Sequence, residues 1–424
     1  MRVTPLASVL GLTLMLGTVP GRAGETGPVL AVPGSSNQTP WAAVAGSFVA
    51  VAWSAQPSTG GPDIHVAVSR DDGRTFSAPV RVNVLAGEAR VGGELPPRVG
   101  LVAREGAREP DVIVAYGSKT DHTEIMIARS VDGGRTFAPG RALQAPGAAG
   151  DRGWHAMTLD STGAAHVMWL DHRGLAAAKA SPHAHHEAAA LDGVAMAQQS
   201  GLYYAREDRT VASTERELLK GVCYCCKVAM ATGTHGEIFA AWRHVYPGNI
   251  RDIAFLASRD GGHTFEAPGR VSIDDWQLAG CPDDGPAMAV DGEGTVHVVW
   301  PTVIGGQTPE GAIFYASSRD GRTFSPRRRL PTLGSPKPMH PQIVADSAGR
   351  ITAAWDEVVD GVRHAATRAI TFDEAGQPLF GAARRLGPPD APSSYPVLVS
   401  TSNGTLAVYV SGKPRESVIR VETP

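Results

Sequence analysis

Four cysteines offer the chain's most reactive side chains: Cys223, Cys225, Cys226 and Cys281. Three of them crowd into four positions. Sulfur in this pattern does one of three things: it forms disulfides, binds a soft metal ion, or works as a redox thiol. Adjacent Cys225 and Cys226 do not pair with each other in ordinary geometry, so a bridge would run crosswise, for example from one of them to Cys281. Thiolates beside imidazoles suit copper(I) or zinc, and His155, His172, His244 and His340 could supply the imidazoles. Met196 and three further histidines, His183, His185 and His186, fall in an Ala-rich stretch at 174–200. That stretch is either a plain loop or an arm that gathers metal over the site. Two carboxylate pairs, Asp283-Asp284 and Asp356-Glu357, could serve as acid and base, or stand as solvated charges.

These residues matter only if the fold brings them together, and a repeat predicts that it does. One phrase recurs seven times: a small-residue strand, a turn, and a second strand ending near an aromatic. Those aromatics are Trp53, Tyr116, Trp169, Trp242, Trp300, Trp355 and Tyr409, spaced 53 to 73 residues apart. Such a period marks one supersecondary unit copied around an axis, a β-propeller. Inner strands are expected at 41–45, 98–102, 155–159, 227–231, 286–290, 341–345 and 396–400. Outer strands follow most units but not the last. Residues 28–32, near the mature N-terminus, could supply the missing strand and close the ring. The expectation is an all-β single propeller of seven four-stranded blades, with six blades as the alternative. Inner strands of a propeller run the same way. Loops entering them and loops leaving the second strands therefore share one face, which gathers all four cysteines and the four histidines. A ligand site is expected there.

A sharper signature follows the third strands. Ser69-Arg70-Asp71-Asp72-Gly73-Arg74-Thr75-Phe76 recurs at 130–137 and 258–265, with a looser copy at 317–324. Asp and Ser oxygens bond turn N–H groups, Gly takes positive φ, and Phe tucks under the sheet. These copies resemble the Asp-box, or BNR, repeat of the sialidase superfamily, whose propellers have six blades and carry the box on an outer turn away from the active site. The resemblance implies a glycoside hydrolase of the exo-sialidase type. Tyr395 would be its nucleophile, in a segment similar to the sialidase tyrosine segment. Arg98, Arg152 and Arg243 would hold a substrate carboxylate, and Glu357 would serve acid–base chemistry. The departures are clear. Thr39-Pro40-Trp41 stands where Arg-Ile-Pro is expected, position 300 is Trp, and the strand after Tyr395 carries no glutamate.

With 424 residues, 49 Gly and 32 Pro, the chain is long and turn-rich. Its net charge of −3 and lack of a basic run argue against nucleic acid as partner. Residues 1–23 read as a cleaved signal peptide, with Arg2, an apolar stretch to Val19 and a small-x-small end. Residues 24–424 then form one propeller domain with the 174–200 insertion in blade three, secreted or periplasmic and without a membrane span. The functional expectation is an exported propeller with a Cys/His-rich face binding a metal or a small ligand. The alternatives are the exo-sialidase reading and a glycan- or protein-binding propeller without chemistry. A small molecule or glycan at the axis is the expected partner.

Overall fold

Alternating apolar residues in short strands, separated by Gly- and Asp-containing turns, form antiparallel sheets buried on both faces. A computed structural model describes residues 27–119, 121–180, 193–209, 214–278, 280–305 and 309–424, and shows seven such sheets in a ring. The inner strands are Ser35–Ala45, Arg98–Val102, Arg152–Leu159, Ala229–Thr232, Ala287–Val290, Met339–Ala345 and Ser393–Thr401. Each pairs with a second strand carrying one of the seven aromatics. Two sheets gain a fifth short strand, Ala89–Arg90 in blade two and Arg384–Arg385 in blade six. Seven blades are present, one more than in the sialidases whose box they share.

The aromatics wedge the gaps between blades. Five tryptophans are fully buried, and each indole N–H has an acceptor. Three acceptors lie two residues further along the chain: Asp171 for Trp169, His244 for Trp242 and Glu357 for Trp355. Trp300 uses Asp274 and Trp53 uses Asn37. A buried indole without a partner would forfeit part of what its burial gains.

Closure uses the beginning of the described chain. Val29–Leu30 pairs with Val418–Glu422, in register Val29 with Arg420 and Leu30 with Ile419. Asn37 locks the seam. Its Oδ1 accepts from Val32 N and Trp53 Nε1, both at 2.9 Å, while its Nδ2 donates to Ser417 O at 2.9 Å. One buried amide thus joins the first and last blades.

The Asp boxes occupy outer turns, as the resemblance implies. In the first copy Asp71 accepts from Ser69 Oγ, Thr75 N and Thr75 Oγ1 at 2.6–2.9 Å, and Gly73 N donates to Ser69 Oγ. The copies at Asp132 and Asp260 repeat these bonds. The looser copy at Asp320 closes one residue tighter, onto Arg322 N and Thr323 N. Each box phenylalanine packs on the core beside its blade.

Two helices, α1 (Arg173–Ala180) and α2 (Gly193–Gln198), interrupt blade three between its second and third strands. His183, His185, His186 and the signal-like residues 1–23 lie outside the described residues. No helix among the described residues is long and apolar enough to cross a membrane.

Seam and box should differ in weight. Asn37→Ala strands the Trp53 indole and the Val32 amide, and is expected to cost about 2–4 kcal/mol in urea unfolding. Asp71→Ala acts on a solvated turn and should cost about 1 kcal/mol or less. Equal losses from the two would refute the seam's role.

Candidate functional site

Three neighbouring blades enter their inner strands through the same short phrase: Thr39-Pro40 in blade one, His340-Pro341 in blade six and Tyr395-Pro396 in blade seven. In each, the residue before proline takes a left-handed φ, at 50°, 51° and 50°. Each sits in a bulge where the register to the second strand shifts. Such a conformation costs a non-glycine residue about 1–3 kcal/mol, and a following proline disfavours it further. The surroundings must therefore hold it. Asp356 does so for two of the three. Its Oδ2 accepts from Tyr395 N at 2.7 Å and from His340 Nδ1 at 2.8 Å, while Arg363 donates to its other oxygen. Asp284 accepts from His340 N at 3.2 Å. Thr39 Oγ1 bonds Ser54 Oγ at 2.9 Å.

The bulges turn His340 and Tyr395 into the mouth of the ring, with ring centroids 4.2 Å apart. Gly93 makes room for the phenol, since a Cβ there would stand 2.7 Å from Tyr395 Oη. Opposite them Glu94 reaches across the axis. Its carboxylate accepts from Lys227 N at 2.8 Å, Gly285 N at 2.7 Å and Lys227 Nζ at 3.0 Å. It thereby joins blades two, four and five. Trp41, Glu94, Lys227, His340, Gln342 and Tyr395 line the mouth. Below it a shaft of about 150 Å³ continues down the axis past Arg98. A roomier depression, about 990 Å³, lies where the first and last blades meet, lined by Asp72, Arg74, Arg384 and Asn403. It holds box-turn residues and no convergent acid–base pair; the mouth encloses only about 20 Å³ but gathers such a pair, which makes it the stronger candidate on chemistry.

Electrostatics sets the two mouth rings apart. Burial pushes the Tyr395 phenol up to about 12, with Asp356 adding to the effect. Burial lowers the His340 pKa, but Asp356, followed by Asp284 and Glu94, outweighs it and holds the group above its ordinary value. Burial likewise lifts Asp284, to about 6. The mouth thus holds an imidazole whose charged form is stabilised by neighbouring carboxylates beside a phenol whose neutral form is favoured by burial.

The thiols form a second corner on the same face, under blades four and five. Cys225 and Cys281 are disulfide-bonded, the crosswise link expected, and Cys223 and Cys226 remain reduced and buried. Cys223, Cys225 and Cys226 form a nearly equilateral triangle, with sulfurs 3.7, 3.8 and 3.9 Å apart. The Cys226 hydrogen bond, aided by Arg251 and Arg243, lowers the Cys223 pKa, while burial raises that of Cys226. Val194 and Ala197 of α2 pack against these sulfurs.

The four imidazoles do not join the thiols. Among the described residues none lies within the 4.8 Å circle that holds the three sulfurs. His155 Nε2 donates to Ala115 O at 3.2 Å, and burial holds its pKa down at about 3. His172 packs on Trp154, and His244 accepts the Trp242 indole against Tyr246. His340 belongs to the mouth.

The three arginines are engaged separately. Arg98 stacks on Trp41 at 3.7 Å and donates to His155 O, with Nη2 left without a partner. Arg152 holds Asp171 and the carbonyls of Ala148, Ala149 and Gly150. Arg243 holds the carbonyls of Arg251, Asp284 and Pro301. Glu357 accepts from the Trp355 indole, Ser335 N at 2.7 Å and Leu333 N, so its oxygens serve the fold. Sequence reasoning missed Glu94 and the Lys227 ammonium. The available signal was charge beside an inner-strand entry.

No family model and no curated protein matches the chain. Solved structures do. An ulvan lyase, a polysaccharide lyase, aligns at 10% identity over 91% of this chain and 93% of its own, with a TM-score of 0.55. A Hadza microbial sialidase aligns at 16% identity over 88% and 73%, with a TM-score of 0.49. A Penicillium chrysogenum α-L-arabinanase aligns at 13% identity over 94% and 96%, with a TM-score of 0.48. The fold is that of a seven-bladed β-propeller. At these identities the likeness reaches the fold alone.

Two measurements check the site's chemistry. A group whose pKa rises on folding stabilises the protein below its unfolded value, about 6.5 for histidine, and loses that effect as pH climbs through the folded value. The melting-temperature gap between wild type and His340→Gln should therefore be widest in mildly acidic solution and shrink toward alkaline pH. A gap that widens with pH would contradict the His340–Asp356 pairing. Thiol titration should find no fast-reacting group in the native protein, two thiols after unfolding without reductant, and four after reduction.

Proposed function

We propose that the protein is an exported propeller that binds a polar small molecule of the carbohydrate class at its axial mouth, with Tyr395 and His340 placed for proton transfer. The observation that carries this is the Asp356 carboxylate, which holds two strained pre-proline residues so that an imidazole and a phenol face one opening. Strain of this kind persists where the surrounding structure over-determines it, and it concentrates at functional sites. Trp41 and Tyr395 provide aromatic surface for the apolar face of a sugar ring. His340 and Gln342 provide donors and acceptors for its hydroxyls. The unpartnered Arg98 nitrogen in the shaft favours a ligand with an acidic substituent. Export is supported by the pattern of residues 1–23 alone.

An exo-sialidase reading has Tyr395 in its favour. The separate engagements of Arg98, Arg152 and Arg243 leave it without a carboxylate clamp, and Glu357 is occupied by the Trp355 indole.

Fluorescence titration against neutral, uronic and sialic saccharides tests the proposal, because Trp41 lines the mouth. Binding by at least one saccharide is expected. Trp41→Ala should weaken it about tenfold or more, the scale of about 1.4 kcal/mol. Tyr395→Phe should abolish any turnover while leaving binding within a few-fold. A full panel that shifts neither fluorescence nor melting temperature would refute the assignment.

A further inference from the structure

The mouth does not use the sulfurs of the neighbouring cysteine corner, which is a built site of its own. Cys223, Cys225 and Cys226 all come from the entry to blade four, and their sulfurs are 3.7–3.9 Å apart. A tetrahedral ion with metal–sulfur bonds of about 2.3 Å spaces its sulfurs about 3.8 Å apart. The triangle therefore already has the edge that such an ion imposes.

A second observation points the same way. Two arginines beside the sulfurs are fully buried, Arg243 and Arg251. Arg251 Nη1 donates to Cys223 Sγ at 3.0 Å, and its remaining bonds go to Leu278 O and Asn249 Oδ1. Arg243 bonds only carbonyl oxygens. Among the described residues, no carboxylate forms an ion pair with either guanidinium. A buried cation such as Arg251, whose bonds go only to a thiol, a carbonyl and an amide oxygen, is costly, and a cluster of thiolates on a metal would neutralise it.

We propose that Cys223, Cys225 and Cys226 bind one thiophilic closed-shell cation, of the copper(I) and zinc class, and that the Cys225–Cys281 bridge keeps this site closed until it is reduced. Cys281 is the exposed end of the bridge, beside exposed Asp283, and the other three sulfurs are buried. A dithiol reductant can therefore attack there. Its thiolate bonds Cys281 Sγ, and Cys225 leaves as a thiolate. The reductant's second thiolate then displaces Cys281 and closes the reductant into a cyclic disulfide. Two electrons pass from the dithiol to the protein, and Cys281 takes a proton from solvent. The freed Cys225 completes the triangle, and the incoming ion displaces the thiol protons that remain. This assignment is independent of what the mouth binds.

Competition against chromophoric chelators, with zinc and separately with copper(I) under anaerobic conditions, tests it on chelator-stripped full-length mature protein. Oxidised wild type should take up no ion. Wild type reduced with a phosphine and desalted should take up one. Cys281→Ser should take up one without any reductant, since Cys225 then has no bridge partner, and its exposed position spares the core. Adding Cys226→Ser should weaken that affinity at least a hundredfold. Circular dichroism shows whether each variant is folded, and reduced wild type provides the same readout without substitution. Failure of both folded Cys281→Ser and reduced wild type to bind either ion would overturn the site. Equal uptake by oxidised and reduced wild type would overturn the gating role of the bridge.

Discussion

Glu94 carries the constraint on which the site depends. A propeller's inner strands meet only through their edges, so nothing in the sheets themselves fixes how the entry loops face one another across the axis. One carboxylate does this here. It takes the amides of Lys227 and Gly285 and the Lys227 ammonium, and so ties blade two to blades four and five. Its chain separation from Gly285 is 191 residues. A buried carboxylate is tolerable only when its lone pairs are filled, and these bonds fill them. The same bonds set the mouth's width and bring the cysteine corner beside it.

Around this clamp the repeat is used in two ways. Where the fold needs support, many copies stay alike: an acceptor two residues past three of the five buried tryptophans, an Asp in each of four outer turns. Where the mouth is formed, three copies share a strained entry before proline and differ in what they present, Thr39, His340 or Tyr395. Trp154 takes the same left-handed φ, at 53°, in blade three without a proline. Strain is thus a property of the entry position, and chemistry is a property of the residue placed on it.

The repeat made the fold legible. Seven aromatics at one period gave blade number and strand order, and the boxes gave the outer turns. Ring closure by residues 28–32 followed from the missing last strand. The gathering of cysteines on one face followed from strand direction. Partner assignment was less legible, because hydrogen bonds across blades leave no periodic trace. His244 and Glu357 looked like rim residues available for chemistry, yet each accepts an indole N–H two residues before it. Arg152 and Arg243 looked like clamp residues, yet Asp171 and loop carbonyls engage the first, and carbonyls of its own loop and of blade five engage the second. Glu94 belongs to an irregular connection that no repeat predicts, and its role appears only when blades far apart in sequence are seen side by side.

Native-state hydrogen exchange tests the central claim most directly. If Glu94 and Asp356 hold the mouth as one rigid unit, the amides of Lys227, Gly285 and Tyr395 exchange only with global unfolding, and Glu94→Gln releases the first two while sparing the blade cores. Exchange of these amides at the rate of the exposed outer turns in the wild-type protein would contradict a clamped mouth.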